Sequence, residues 1–162
     1  MARAMREKSL SEITLRRYER PSKELSDRDL IKRICLSLGL LNPGDSRDAI
    51  VDTLYVLNSA EKPLTSRTIM KQAIEFRKKN KLSVSGLTYT NVCRQLRRLR
   101  SLMLVEMNSD AYQIAEKEQL LTLFNERIIP FYVENITVRI QDYLTELKER
   151  NEQEKKSYIN RK

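Results

Sequence analysis

Residues 87–105 read LTYTNVCRQLRRLRSLMLV and contain a helix start, an amphipathic helix and the beginning of a strand. Thr88 is a residue type that commonly caps the N-terminus of a helix. Apolar residues then recur at helical spacing on one face: Val92, Leu96, Leu99 and Met103. The opposite face is predicted to carry Thr90, Asn91, Arg94, Gln95 and Arg98. We therefore expect a helix with one face in the core and the other in solvent.

The residues after this helix follow a different period. Residues 104–107 and 111–114 are short and strand-like, and the sequence Asn108-Ser109-Asp110 between them is typical of a tight turn. The sequence therefore predicts a small β-hairpin directly after the helix.

Three further helices are predicted upstream. They are expected over residues 27–38 after a capping Ser26, from Asp45 or Ser46 to about residue 59, and from Thr65 or Ser66 to about residue 79. Lys62-Pro63 marks an extended connection before the third of them. We expect the inner face of the helix that follows Thr88 to pack on Ile50, Leu54 and Ile74.

The excess positive charge of the chain lies in one segment. Between Ser66 and Arg100 there are ten Lys or Arg residues and a single acid, Glu75, so this segment carries the same net charge of +9 as the whole chain. The remainder of the chain is electrically neutral. A neutral protein with one strongly basic segment is expected to bind a polyanion there.

The composition excludes several classes of function. The chain of 162 residues has no histidine, which is the commonest general base and transition-metal ligand, and its two cysteines form no metal-binding motif. No apolar run approaches the ~18 residues that cross a membrane. We expect a cytoplasmic, nucleoid-associated protein that is not an enzyme and has no metal or cofactor. The high content of Ile, Lys, Arg and Glu is compatible with an archaeal source.

Residues 45–115 resemble the winged helix-turn-helix domain of many transcription regulators. The segment from Leu87 to Val105 looks like a recognition helix followed by the first wing strand, and Pro63-Leu64-Thr65-Ser66 looks like the entry to the second helix. Two features depart from the family pattern. The loop from Asn80 to Gly86 is longer and more basic than the usual turn, and the tip of the wing carries Asp110.

The resemblance implies that the helix around 88–102 lies in the major groove of double-stranded DNA. Arg can bind guanine with two hydrogen bonds and Asn or Gln can pair with adenine, whereas Lys and a helix N-terminus suit phosphates. The residues expected to contact DNA are Arg67, Lys71, Lys78, Lys79, Lys81, Thr88, Tyr89, Thr90, Asn91, Arg94, Gln95 and Arg98.

The C-terminal part of the chain carries a pattern that favours self-association. A helix is expected over 116–129, Pro130 interrupts it or starts the next, and the last helix is expected over 131–151. Residues at alternating spacings of three and four form an a/d heptad seam: Val133, Ile136, Ile140, Tyr143 and Leu147. This seam predicts a homodimer, which would present two recognition helices to a two-fold site.

Together these patterns predict a mainly α protein with a small β-hairpin wing. It comprises a mobile polar arm (1–25), an additional helix (26–44), a winged helix domain (45–115), C-terminal helices for dimerisation (116–151) and a charged tail (152–162). The leading interpretation is a dimeric, sequence-specific transcription regulator. The alternatives are an architectural or partition-type DNA-binding protein of low specificity, and a protein-interaction module of the replication or transcription machinery.

Overall fold

The computed structural model describes Ile13, Arg16, residues 18–45 and residues 48–159; of residues 154 and 156–159 it describes the backbone alone. The elements in chain order are α1 (Asp27–Ser37), α2 (Ala49–Asn58), β1 (Leu64–Thr65), α3 (Ser66–Lys79), α4 (Tyr89–Ser101), β2 (Val105–Asn108), β3 (Ala111–Ile114), a 3-10 turn (Ala115–Lys117), α5 (Leu120–Leu123), a π-helical segment (Phe124–Val133) and α6 (Glu134–Ile159). The protein is therefore mainly helical with a small sheet, as the sequence predicts.

Three helix starts are capped as expected. The side chains of Ser26, Thr65 and Thr88 each accept a hydrogen bond from the backbone N–H three residues ahead. The start of α2 differs from the prediction, because its N-cap is Asp48 rather than Asp45 or Ser46. The Asp48 carboxylate makes no capping bond, since it is engaged in ion pairs. Ser46 lies outside the described residues.

The predicted hairpin is part of a three-stranded antiparallel sheet. The strand order is β1-β3-β2, with Leu64 opposite Tyr112 and Val105 opposite Ile114. Ser109 adopts a left-handed backbone (φ 57°) at the tip, where the tight turn was predicted. The expected extended connection after Pro63 therefore ends in a strand that pairs with the hairpin, and this pairing ties the hairpin to the start of α3.

The core forms around α2, which packs against α1, α3 and α4. Val92, Leu96 and Leu99 on α4 are fully buried, and Ile50 and Leu54 on α2 are buried in the same cluster. Ile74 is only half-buried at its edge. Met103, also expected to face inward, is half-buried because it lies beyond the end of α4 with a left-handed φ of 59°.

The free thiol of Cys35 is also completely buried on α1. Burial raises the pKa of Cys35 to about 12, so this side chain serves as a small apolar core residue.

Four charged side chains form a buried network between α1, α2 and α3. Asp52, with no exposed surface, accepts hydrogen bonds from Arg28 Nε (2.8 Å) and Arg77 Nε (2.8 Å). Asp48 accepts from Arg28 Nη2 (2.9 Å) and Arg77 Nη2 (2.7 Å). Burial by itself would raise the pKa of Asp48, but the hydrogen bonds and charges of the two arginines hold it below its usual range. The network joins the three helices.

The C-terminal region differs from the sequence prediction. A helix over 116–129 does not form, because Glu116 and Lys117 have left-handed φ angles (54° and 57°) and α5 starts only at Leu120. Pro130 neither ends nor starts a helix but lies within the π-helical segment that continues into α6. In an α-helix the proline ring would clash with the carbonyl four residues back, and the wider turn of a π-helix relieves this clash.

The last helix is longer than the predicted 131–151. It extends to Ile159, so most of the expected charged tail (152–162) is helical. Ion pairs one turn apart, Arg150 with Glu146 (2.7 Å) and Lys148 with Glu152 (3.9 Å), support its surface. None of the helices in the described part of the chain has the length and hydropathy needed to cross a membrane.

The expected polar arm (1–25) lies mostly outside the described residues. In the described part of the arm, Ile13 is half-buried against the core, and Glu19 forms an ion pair with Arg33 (3.2 Å). The arm therefore has at least two points of contact with the helical body.

Candidate nucleic-acid interface

The outer face of α4 carries an exposed polar ridge. Thr90, Arg94 and Arg97 follow one another at spacings of four and three residues, so their side chains lie in line on one side of the helix. The fully buried Val92, Leu96 and Leu99 lie on the other side. Thr90, Arg94 and Arg97 together form the outer ridge. It leaves long, flexible cations in solvent on a rigid helix.

Two residues that were predicted to read bases are used inside the protein instead. Gln95 is buried, with 5% of its surface exposed, and its amide donates to Asn91 Oδ1 (2.8 Å). Asn91 is half-buried and its amide donates to the Gly86 carbonyl (2.7 Å). The prediction that Gln95 lies on the exposed face is wrong, because the buried arc of α4 is wider than its apolar stripe. Both amides fix the start of α4 against the preceding loop.

Arg98 is exposed but points towards the connection between α1 and α2. Its guanidinium donates to Gln95 Oε1 (3.1 Å) and to the Gly39 carbonyl (3.2 Å). Arg94 donates to Asn91 Oδ1 (2.8 Å) and lines, together with Arg98 and Asp45, a depression of about 390 Å³. Arg98 therefore lies at the margin of the exposed face, whereas Arg94 belongs to both the ridge and this depression.

A second row of cations lies on α3. Arg67, Lys71 and Lys78 are exposed and share one face of the helix. The Arg67 guanidinium lies over the ring of Tyr89, 5.8 Å from its centroid. This contact brings the α3 row beside the N-terminal end of α4, where Thr88 caps the helix. The two helices thereby form one basic surface.

The loop that follows α3 is held from below by a residue of the basic segment. Arg77 is buried, and its Nη1 donates to the carbonyls of Ser83 (2.7 Å) and Ser85 (3.1 Å) while the rest of its guanidinium pairs with Asp48 and Asp52. The other nine Lys and Arg residues between Ser66 and Arg100, including Lys79 and Lys81, are exposed. Arg77 therefore positions the loop and is not available to a ligand.

The basic surface also extends towards the sheet. Arg97, Arg100 and Arg127 line an open depression of about 510 Å³ beside β2. Arg127 donates to the Met103 carbonyl (3.0 Å), and Tyr132 donates to the Ser101 carbonyl (2.8 Å). The π-helical segment thus supports the C-terminal end of α4 from behind. The hairpin tip, in contrast, carries the exposed Asp110.

The predicted dimer residues lie on a different part of the molecule. Val133, Ile136, Ile140, Tyr143 and Leu147 are all exposed, by 39% to 65% of their surface. Every described side chain of α6 is exposed. The seam is therefore not covered by the described part of its own chain.

Sequence reasoning overlooked two roles. Arg97 was counted in the basic segment but not among the contact residues, although it lies seven residues after Thr90 and three after Arg94. Arg77 belongs to the basic segment, but it follows the apolar Ile69 and Ala73 at spacings of four and so lies on the buried face of α3. Helical spacing alone would have predicted both the exposed position of Arg97 and the buried position of Arg77.

No protein-family model matches this chain, and no curated protein or solved structure matches it either. Among the described residues there is also no group of three or more Cys, Asp or Glu side chains arranged to hold a metal ion. The interpretation therefore depends on the basic surface itself.

Proposed function

We propose that this protein binds double-stranded DNA as a dimer, with α4 as the helix that enters the major groove. The observation that carries the proposal is the exposed basic surface of α3 and α4. Arg77 is buried and does not belong to this surface, whereas Arg97 is exposed on it. A rigid helix with an uninterrupted row of exposed polar and cationic side chains is suited to groove binding.

We further propose that residues 45–115 form a winged helix-turn-helix domain. The order of α2, β1, α3, α4, β2 and β3, with α3 packed on α4 and β1 paired with the hairpin, supports it. In such a domain the helix before the recognition helix lies across the DNA backbone, which is where Arg67 and Lys71 would bind phosphates.

Each part of the surface then has its own role. Arg94 and Arg97 contact base edges, because an arginine fork matches the two acceptors of guanine. The free N–H groups at the start of α4, near Tyr89 and Thr90, bind a phosphate. Lys78, Lys79 and Lys81 bind further phosphates and release counterions. Asn91 and Gln95 position α4 and do not read bases.

We expect Arg94→Ala and Arg97→Ala each to cost about 1–3 kcal/mol of binding free energy on a preferred duplex and to relax sequence preference. Lys78→Ala, the matched control, should weaken binding to all sequences alike and reduce the dependence on salt by about one phosphate contact. Fluorescence anisotropy on selected and random duplexes, titrated with salt, measures both effects.

The same titration separates the alternatives. A steep salt dependence without sequence preference would favour an architectural or partition-type role, and the arginine variants would then resemble Lys78→Ala. No binding to either duplex at low salt would contradict the proposal and favour a protein-interaction module. Wild-type affinity in both arginine variants would show that the basic surface is assigned to the wrong face.

The dimer is proposed to form through α6. The seam of five exposed apolar residues, which starts at Val133 just before α6, supports this. The described part of the chain leaves the seam uncovered, and a long helix with an exposed apolar stripe is typical of a helix that pairs with another. Two copies would place two α4 helices on one DNA molecule, as reading a two-fold site requires.

We expect Ile140→Glu to split the dimer, because an unpaired charge would be buried at the centre of the seam. Its DNA affinity should fall as well, since each monomer would hold only half a site. Gln141→Glu is the matched control, because its neighbouring position points away from the seam. Sedimentation velocity on the three proteins tests this. A monomeric wild type at micromolar concentration would contradict the proposed dimer.

A further inference from the structure

The α6 helix carries charges as well as apolar residues along its seam. If Val133 occupies position a of a heptad, then Ile140 and Leu147 also occupy a, and Ile136 and Tyr143 occupy d. Arg139 and Glu146 then occupy position g of successive heptads, which flanks the seam. Residues at g set the partner and the orientation of paired helices. The opposite charges of Arg139 and Glu146 at position g therefore indicate how the two helices are oriented.

We infer that two copies of α6 pair in antiparallel orientation, with the two-fold axis crossing between Gln141 and Asp142. This inference rests on the proposed dimer and specifies its interface. In this arrangement Ile140 faces Tyr143 of the second copy, and Ile136 faces Leu147 of the second copy. The two-fold axis repeats both layers. The central layers of the interface are thus entirely apolar.

The charges agree with this register. Position g faces position g in an antiparallel pair, so Arg139 lies opposite Glu146 of the second copy, and the same pair recurs across the axis. Leu144, which is 60% exposed, lies at position e and faces Thr137 of the second copy, so it also becomes covered. At the ends, Val133 faces the aliphatic stem of Arg150, whose guanidinium is held by Glu146 of its own chain (2.7 Å).

Neighbouring registers are disfavoured by charge. A shift of one heptad in one direction places Arg139 opposite Arg139 of the second copy. The opposite shift places Glu146 opposite Glu146 of the second copy. Like charges at these flanking positions repel, whereas the proposed register pairs every one of them with its opposite.

A parallel pair lacks these contacts. Position g then faces position e of the next heptad, so Arg139 would lie against Leu144 and Glu146 against Asn151 of the second copy. In addition, Arg150 would face itself within the seam. Arg139 and Glu146 therefore pair between the two helices only in the antiparallel arrangement.

The orientation determines how the two basic surfaces are placed. Glu134, the first residue of α6, lies about seven residues from the proposed axis, so the two starts of α6 are about 22 Å apart along the helices. In a parallel pair they would lie side by side, only about 10 Å apart. The antiparallel pair therefore separates the two DNA-binding units on opposite sides of one axis.

Disulfide trapping of the full chain tests the orientation without DNA. In a Cys93→Ser background, Ile136→Cys and Leu147→Cys are prepared separately and then mixed under mild oxidation. The antiparallel pair predicts that the mixture forms a covalent dimer while neither variant does so alone, since identical residues are about 16 Å apart. Efficient self-linking of each single variant would overturn the antiparallel orientation.

Charge reversal tests the register independently. Arg139→Glu is expected to raise the dimer dissociation constant about tenfold. The double variant Arg139→Glu with Glu146→Arg should recover most of this loss, because it restores the pair between the two chains but breaks the pair of Glu146 with Arg150 within one chain. An additive loss in the double variant would overturn the pairing. Sedimentation of the wild type tests the dimer itself, and a monomer would contradict the proposed dimer. If the wild type is a dimer but each single cysteine variant links to itself, only the antiparallel orientation is contradicted. DNA binding is measured separately, by the anisotropy titration described above.

Discussion

Replacing Asp52 with alanine is expected to lower the free energy of unfolding by about 3–5 kcal/mol. Asp52 is completely buried and accepts hydrogen bonds from both Arg28 and Arg77. Without it, the two guanidinium groups keep only Asp48 as an anionic partner in a poorly solvated site, and each loses two charge-assisted hydrogen bonds. Urea unfolding followed by circular dichroism measures the change.

The matched control is Glu19→Ala, which removes an exposed ion pair with Arg33 (3.2 Å) and should change stability by less than about 1 kcal/mol. A loss in Asp52→Ala no larger than that of Glu19→Ala would show that water replaces the missing carboxylate, and that the network does not join the helices. Because Arg77 also holds the carbonyls of Ser83 and Ser85, we expect the loop before α4 to become more mobile in Asp52→Ala.

Leu96→Ala is the second variant with a large expected effect, a loss of about 2–5 kcal/mol in the free energy of unfolding. Leu96 lies between Val92 and Leu99 on the inner face of α4 and has no exposed surface. Truncation would leave a cavity between α4 and α2 that the surrounding helices fill only in part. Urea unfolding measures this loss under the same conditions.

Arg97→Ala serves as the control on the same helix. Arg97 is exposed on the outer ridge, so its removal should leave stability within about 0.5 kcal/mol of the wild type. The pair separates the two faces of α4: Leu96→Ala should lose stability, and Arg97→Ala should lose DNA affinity. A stable Leu96→Ala with less than about 0.5 kcal/mol of loss would mean that the faces are inverted.

Local sequence patterns determined the elements around α4. The caps at Ser26, Thr65 and Thr88 are confirmed, because a side chain that caps a helix acts within three residues of itself. The inner face of α4 and the hairpin at residues 105–114 follow from periodicity in the same way. Such features depend on residues that are close in sequence, so they can be predicted without knowledge of the fold.

The C-terminal segment was less predictable for a physical reason. The sequence between Glu116 and Pro130 has helical composition, but left-handed backbone at Glu116 and Lys117 delays the helix, and the segment then winds as a π-helix. These conformations fit where Arg127 and Tyr132 must reach the carbonyls of Met103 and Ser101 at the end of α4. Long-range contacts of this kind are not encoded in local propensity.

The sequence alone located the basic segment, and the tertiary structure decided which of its charges face solvent. Arg77 carries the same charge as Arg97, but α2 and its N-cap bring Asp52 and Asp48 to Arg77, whereas Arg97 stays exposed. Gln95 is likewise expected from its polarity to be exposed, but in the folded chain it lies against Asn91 and the connection after α1. The burial of a polar side chain depends on partners that lie dozens of residues away in sequence, and only the folded chain brings them together.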